Sequence, residues 1–137
     1  MTCPFCTLDP KRNTIIENRK NCFVMFSNPR LMEGHLLVIP KRHVERLSEL
    51  NEQEKKELLE TVIGFEEKLL KIFPGCDIRQ NYRPFVKQSD HKVNHLHIHL
   101  QPRTMEDDLY KKVQVFEKDV FKWSTKNEES KLIKLLS

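Results

Sequence analysis

The chain has 137 residues, with 24 Lys and Arg against 20 Asp and Glu and a formal net charge of +4. That length builds one domain with a core large enough to stand alone, and so small a charge favours an anionic small molecule mildly while falling short of a nucleic-acid surface. With 38% hydrophobic and 32% charged residues, and no run near the ~18 apolar residues of a membrane span, composition excludes the disordered and membrane-spanning classes.

In chain order, the start Met1-Thr2-Cys3-Pro4 has neither a charged n-region nor an apolar h-region, which predicts a cytoplasmic protein. Four cysteines in that setting read as thiols or metal ligands, not as a disulfide frame. Cys3-Pro4-Phe5-Cys6 is either half of a zinc site or a redox pair. A thioredoxin-like redox motif needs a strand upstream, and none precedes it. Cys22-Phe23-Val24-Met25-Phe26 reads as a first strand ended by Ser27-Asn28-Pro29, with Cys22 in the core. Gly34 precedes a second, His35–Ile39, closed by Pro40 and able to pair with the first. Asn51 and Glu54 form a capping box for a long helix carrying Leu58, Leu59, Val62, Ile63, Leu69, Leu70 and Phe73, stopped by Pro74-Gly75. Cys76 then looks like a turn residue. A third strand spans about Asp77–Tyr82. Glu106–Trp123 suits a strand by its Val113/Val115 alternation and a helix by its charge spacing. Thr125 and Glu128 make a second capping box for a C-terminal helix with Leu132, Ile133, Leu135 and Leu136. The charged C-terminal segment is expected to be a solvated face, with Trp123 capping the chain's own core. The sum is an α+β fold, an antiparallel sheet with one long helix and a C-terminal helix. It forms one domain over residues 1–137, with a C-terminal extension from about 104.

The run His95-Leu96-His97-Ile98-His99-Leu100 carries the chemistry. In a strand, alternate residues share a face, so Leu96, Ile98 and Leu100 are expected in the core and the three imidazoles along a cleft. On a straight strand His95 and His99 lie about 13 Å apart. The three therefore do not form a three-histidine metal site, and at least one needs another job. A neutral imidazole, with an ordinary pKa near 6.5, is a nucleophile at neutral pH without a stronger base.

His95-x-His97-x-His99, with Gly34-His35-Leu36-Leu37-Val38-Ile39-Pro40-Lys41-Arg42-His43 upstream, resembles the histidine triad (HIT) superfamily. The N-terminal CxxC and the capped helix are similar to its zinc-containing bacterial and archaeal members. The resemblance covers roughly the first hundred residues. It implies a nucleotide hydrolase or nucleotidyl transferase, usually a homodimer, that cleaves at an α-phosphate through a nucleotidyl-histidine intermediate. The substrates implied are dinucleoside polyphosphates, nucleoside phosphoramidates or other adenylates. A phosphorylase, with phosphate as acceptor, is a variant. His97 takes the nucleophile's place; by position, His99, one strand-step on, can donate to a phosphate oxygen or the leaving group, and His35, opening the paired strand, can hold the nucleophile's other nitrogen from behind, most simply through a backbone or histidine relay. The resemblance further implies one structural zinc ion on Cys3, Cys6, His43 and His95. It puts a polar phosphate contact at Asn81 and the ribose contacts at Ser27 or Asn28. Lys92 is a candidate phosphate contact or a solvated loop lysine, and His91 a surface histidine. The stretch Lys87–Asn94 departs from the family's Gly-rich turn in having no glycine, and the loop 81–90 is longer than usual. The alternative function is a zinc-stabilised module that binds purine nucleotides without turnover. Neither reading calls for a nucleic-acid or membrane partner.

Overall fold

A computed structural model describes residues 3–137; Met1 and Thr2, part of the N-terminal reading, lie outside the described residues. The apolar run Cys22–Phe26 forms β2 and pairs antiparallel with β3, Leu36–Pro40, in the register Cys22 to Pro40 and Phe26 to Leu36. Around this hairpin stand β1 (Ile15–Asn18), β4 (Gly75–Arg79) and β5 (Ile98–Arg103), giving one antiparallel sheet in the order β1-β2-β3-β5-β4. β1 was not expected from the sequence: it is a short edge strand with exposed Ile15 and Ile16, joined to β2 through a register shift.

Because successive strand residues alternate faces, the sheet has two unlike sides. One buries Val24, Leu36, Val38 and Leu100 with Leu96 against Leu58, Val62, Phe65 and Leu69 of the helix α1, Glu52–Leu70. Each of these four helix side chains contributes about 2 kcal/mol by leaving water. The other side carries Phe23, Met25, Leu37 and Ile39 and is partly covered by Phe5 and Leu8 of the N-terminal segment. The register Leu37 to His99 and Leu36 to Leu100 puts His99 on this second side, away from α1.

α1 begins as expected. The Asn51 side chain accepts from the Glu54 N–H, and Glu54 accepts from the Asn51 N–H, both at 2.9 Å. Arg42, just past β3, donates to both Glu54 carboxylate oxygens at 3.1 and 2.8 Å, tying the helix start to the sheet. Gly34 has φ +79°, and a Cβ there would stand 3.1 Å from the Phe73 ring and 3.2 Å from Pro102 Cγ. Only glycine makes this turn, and the turn delivers the buried His35 to the threshold of β3.

Several expectations need correction. The histidine strand starts at Ile98, not His95. The Leu96 N–H donates to Val44 O at 2.6 Å and not to the ladder, and the pairing with β3 stops at Val38 and Ile98. β4 starts at Gly75 and ends at Arg79, so Cys76 is a half-buried strand residue and Asn81 lies past the strand. Glu106–Trp123 is helical: α2 (Asp108–Lys112), capped by Asp107, then a 3-10 segment at Gln114–Asp119. α3 (Lys126–Leu136) starts with the expected Thr125/Glu128 box, yet none of its residues is buried. Trp123 is 98% exposed, so it does not cap the core. No helix among the described residues is long and apolar enough to cross a membrane.

Candidate active site and metal centre

The hydrogen bonds of the four central histidines define which ring nitrogen carries the proton, since a backbone N–H only donates and a carbonyl only accepts. The Leu31 N–H donates to His35 Nδ1 at 3.1 Å, so the His35 proton is on Nε2. That Nε2–H donates to His99 Nδ1 at 2.8 Å, which leaves His99 with its proton on Nε2. His97 Nδ1–H donates to the His95 carbonyl at 2.6 Å, so His97 Nε2 carries a bare lone pair. His95 Nε2–H donates to Pro40 O at 2.8 Å, so its lone pair is on Nδ1. His97 and His99 lie side by side, ring centroids 4.9 Å apart, with a lone pair on one and a donor on the other.

His35 does not touch His97 directly; it hydrogen-bonds His99, and the backbone carbonyl of His95 holds His97 Nδ1. His95 does not line the cleft; it is buried and faces the cysteines. Its Nδ1 is 3.3 Å from Cys3 Sγ and 3.6 Å from Cys6 Sγ, and His43 Nδ1 is 3.3 Å from Cys6 Sγ. The donor atoms of Cys3, Cys6, His43 and His95 all lie within 4.8 Å of one another. Zn–S near 2.3 Å and Zn–N near 2.1 Å at tetrahedral angles put neighbouring ligand atoms about 3.5 Å apart. The observed spacings fit, and the lone pair on His95 Nδ1 points into the set. Two thiolates and two imidazoles suit a soft divalent ion such as zinc, and a four-ligand shell leaves no open position.

Burial, then Arg79 and His97, pushes the His35 imidazole down to about 4. Burial, then His97, His35 and Arg79, pushes His99 down to about 3. Burial also lowers His97, against its bond to His95 O, which raises it. All three are neutral at pH 7, which keeps the His97 lone pair available.

His97 and His99 open into a cleft of about 320 Å³ whose apolar wall is Phe5, Met25 and Leu37. Ser27 and Asn28 are on its rim, as expected. Asn28 Nδ2 donates to Arg12 O at 3.0 Å, which leaves its Oδ1 as an acceptor, while the Ser27 hydroxyl donates to Pro29 O at 2.8 Å. Asn81 does not line this cleft. It borders a separate hollow with Tyr82, Lys92 and Asn94, and Lys92 Nζ donates to Asn94 there. His91, expected as a plain surface histidine, borders the main cleft. Sequence reasoning missed Arg12 and Arg30, which add positive charge to the rim, and Phe5, whose place inside the CxxC turn was the available signal. The Leu31 N–H, which orders the His35–His99 pair, left no signal in the sequence.

A family model described as the HIT domain matches residues 9–106. An uncharacterised HIT-like protein of Methanocaldococcus jannaschii is 32% identical over 105 residues, which span 74% of this chain and 78% of that protein. The nitrilase and fragile histidine triad fusion protein NitFhit of Drosophila melanogaster is 31% identical over 105 residues, 76% of this chain but 22% of its own length. A HIT-family crystal structure from Bacillus subtilis superposes with a TM-score of 0.70 at 22% identity, covering 94% of this chain and 86% of that one. A hypothetical protein from Leishmania major reaches 0.70 at 21% identity, covering 98% and 92%.

Proposed function

The chain belongs to the HIT-domain family, and on that premise we propose that it is a nucleotide hydrolase or nucleotidyl transferase working at an α-phosphate through a nucleotidyl-histidine intermediate. The observation that carries this reading is the unprotonated Nε2 of His97 beside the protonated Nε2 of His99 in one cleft. A lone pair attacks phosphorus, and a donor one strand-step away neutralises charge on a non-bridging oxygen or the leaving group; such fixed donors are worth a few kcal/mol. Water, or another acceptor such as phosphate, then resolves the adduct. The apolar wall of Phe5, Met25 and Leu37 suits a purine base. The Oδ1 of Asn28 suits a ribose hydroxyl, with Ser27 shaping the loop behind it. Substrates in this reading are dinucleoside polyphosphates, nucleoside phosphoramidates or other adenylates. A module that only binds nucleotides has no use for so ordered a pair of tautomers.

Cys3, Cys6, His43 and His95 hold one zinc ion in this proposal. With no open position the ion has a structural role, pinning the N-terminus to the start of the catalytic segment. The reading also has residues 1–137 as one cytoplasmic domain, active as a homodimer, with the extension from about 104 outside the catalytic part.

The test is trapping with a radiolabelled adenylate, here adenosine 5′-phosphoramidate. Wild type should yield an acid-labile adduct on His97. His97→Ala should yield none and lose at least three decades of turnover while still binding AMP. A variant keeping more than about a tenth of the rate excludes covalent catalysis at this residue.

A further inference from the structure

The turn between the two cysteines carries more than metal ligands. The Cys6 and Thr7 N–H groups both donate to Cys3 O at 3.2 Å, which closes the turn tightly. Phe5, inside it, is directed inward and packs against the cluster of Phe23, Met25, Leu37 and Ile39. Its ring meets His97 edge-on, with centroids 5.1 Å apart at 85°, and reaches His95 at 6.0 Å and 74°. The His97 imidazole thus lies between two rings, Phe5 at 5.1 Å and His99 at 4.9 Å, with one polar tether from Nδ1 to His95 O. One hydrogen bond leaves a ring free to rock about its second side-chain torsion, which is broad for histidine. Edge-to-face neighbours narrow that well, at separations typical of favourable aromatic pairs.

We propose that Phe5 is a positioning residue for His97, so that the Cys3–Cys6 turn sets the orientation of the nucleophile through this ring. This proposal rests on His97 being the reactive group. The state of the thiols therefore reaches the cleft by two routes, the backbone of His95 and the ring of Phe5. The second route is separable, since Phe5 ligates nothing. A Phe5→Ala chain keeps all four metal ligands and the Nδ1 tether of His97, and loses the ring that abuts His97 together with its share of the apolar wall.

The experiment uses the zinc-loaded 137-residue chain at pH 8 with ¹⁵N-labelled histidine. Wild type should show His97 as a single Nδ1–H tautomer. Phe5→Ala should retain one zinc per chain, as wild type is expected to hold. Its His97 resonances should broaden or move toward a tautomer mixture, and its single-turnover rate on adenosine 5′-phosphoramidate should fall about tenfold, the loss expected for one aromatic contact. Because Phe5 also walls the base site, the rate is read at saturating substrate, and the ligand-free His97 signals report the positioning role separately from any loss of AMP affinity. Phe5→Leu keeps the apolar volume without the ring, so it should fold and bind zinc as wild type does and still show the altered His97 signals. Chelation should disturb His97 more in wild type than in Phe5→Ala, where the ring route is already gone. Wild-type His97 signals in both zinc-loaded variants overturn the proposal, as does an equal effect of chelation on wild type and Phe5→Ala. A chain inert toward the phosphoramidate would count against the proposed function alone, because the NMR readout needs no turnover.

Discussion

Replacing His35 by leucine should expose how the site is ordered. His35 is 3% exposed and takes part in two hydrogen bonds, accepting from Leu31 N–H at 3.1 Å and donating to His99 Nδ1 at 2.8 Å. Leucine fills most of the volume and offers neither partner anything. Two part-buried polar atoms, the Leu31 N–H and His99 Nδ1, then lose their partner at about 1–2 kcal/mol each, so His35→Leu should lose roughly 2–4 kcal/mol of stability. For a chain of this size that is a fall in melting temperature of about 6–12 °C. His99 also loses the constraint that keeps its proton on Nε2, and the rate of adduct formation should fall ten- to hundredfold. His35→Gln is the control. Its amide oxygen can accept from Leu31 and its amide nitrogen can donate to His99, so it should recover more than half of both losses. Differential scanning calorimetry and rapid-quench measurement of the adduct on adenosine 5′-phosphoramidate give the two numbers separately. A His35→Leu protein with wild-type adduct formation refutes the reasoning, and so does a glutamine variant no better than the leucine one.

Acid should destabilise the fold in a defined window. His35 and His99 have folded-state values of about 4 and about 3 against an ordinary 6.5, so below pH 6.5 the unfolded chain takes up protons that the folded chain refuses. Stability is therefore full above pH 6.5 and falls as pH drops toward 4, by up to about 1.4 kcal/mol per pH unit for each histidine. Urea titrations at pH 7 and 5 should show His35→Gln losing less than wild type, and equal losses would contradict the assignment. At the metal centre, elemental analysis should find one zinc per chain. Cys3→Ser and His95→Ala should both lower zinc content and thermal stability, with activity falling mainly through disorder of the segment that carries His97. Full zinc with a collapsed single-turnover rate in His95→Ala would instead place His95 on the substrate.

Local patterns carried the elements whose causes are local. β2, the Asn51/Glu54 box, the Thr125/Glu128 box and the burial of Leu96 and Leu100 follow from alternation, periodicity and end chemistry within a few residues. The gathering of Cys3, Cys6, His43 and His95 was reached from the sequence through family resemblance, because spacing in one chain does not show which of six histidines folds back onto a CxxC. Tertiary structure decided the rest. β5 starts at Ile98 although Ile39 and Pro40 of β3 continue alongside, because the Leu96 N–H is taken by Val44 O and Pro40 has no N–H to offer, and a strand exists only where the ladder bonds are made. Asn81 left the cleft because β4 stops at Arg79. The tautomers of His35, His97 and His99 depend on a Leu31 N–H and a His95 carbonyl, groups that every residue but proline carries and whose direction only the folded backbone sets. The triad named the candidate groups, and the backbone at Leu31 and His95 sets which nitrogen of each ring faces the cleft.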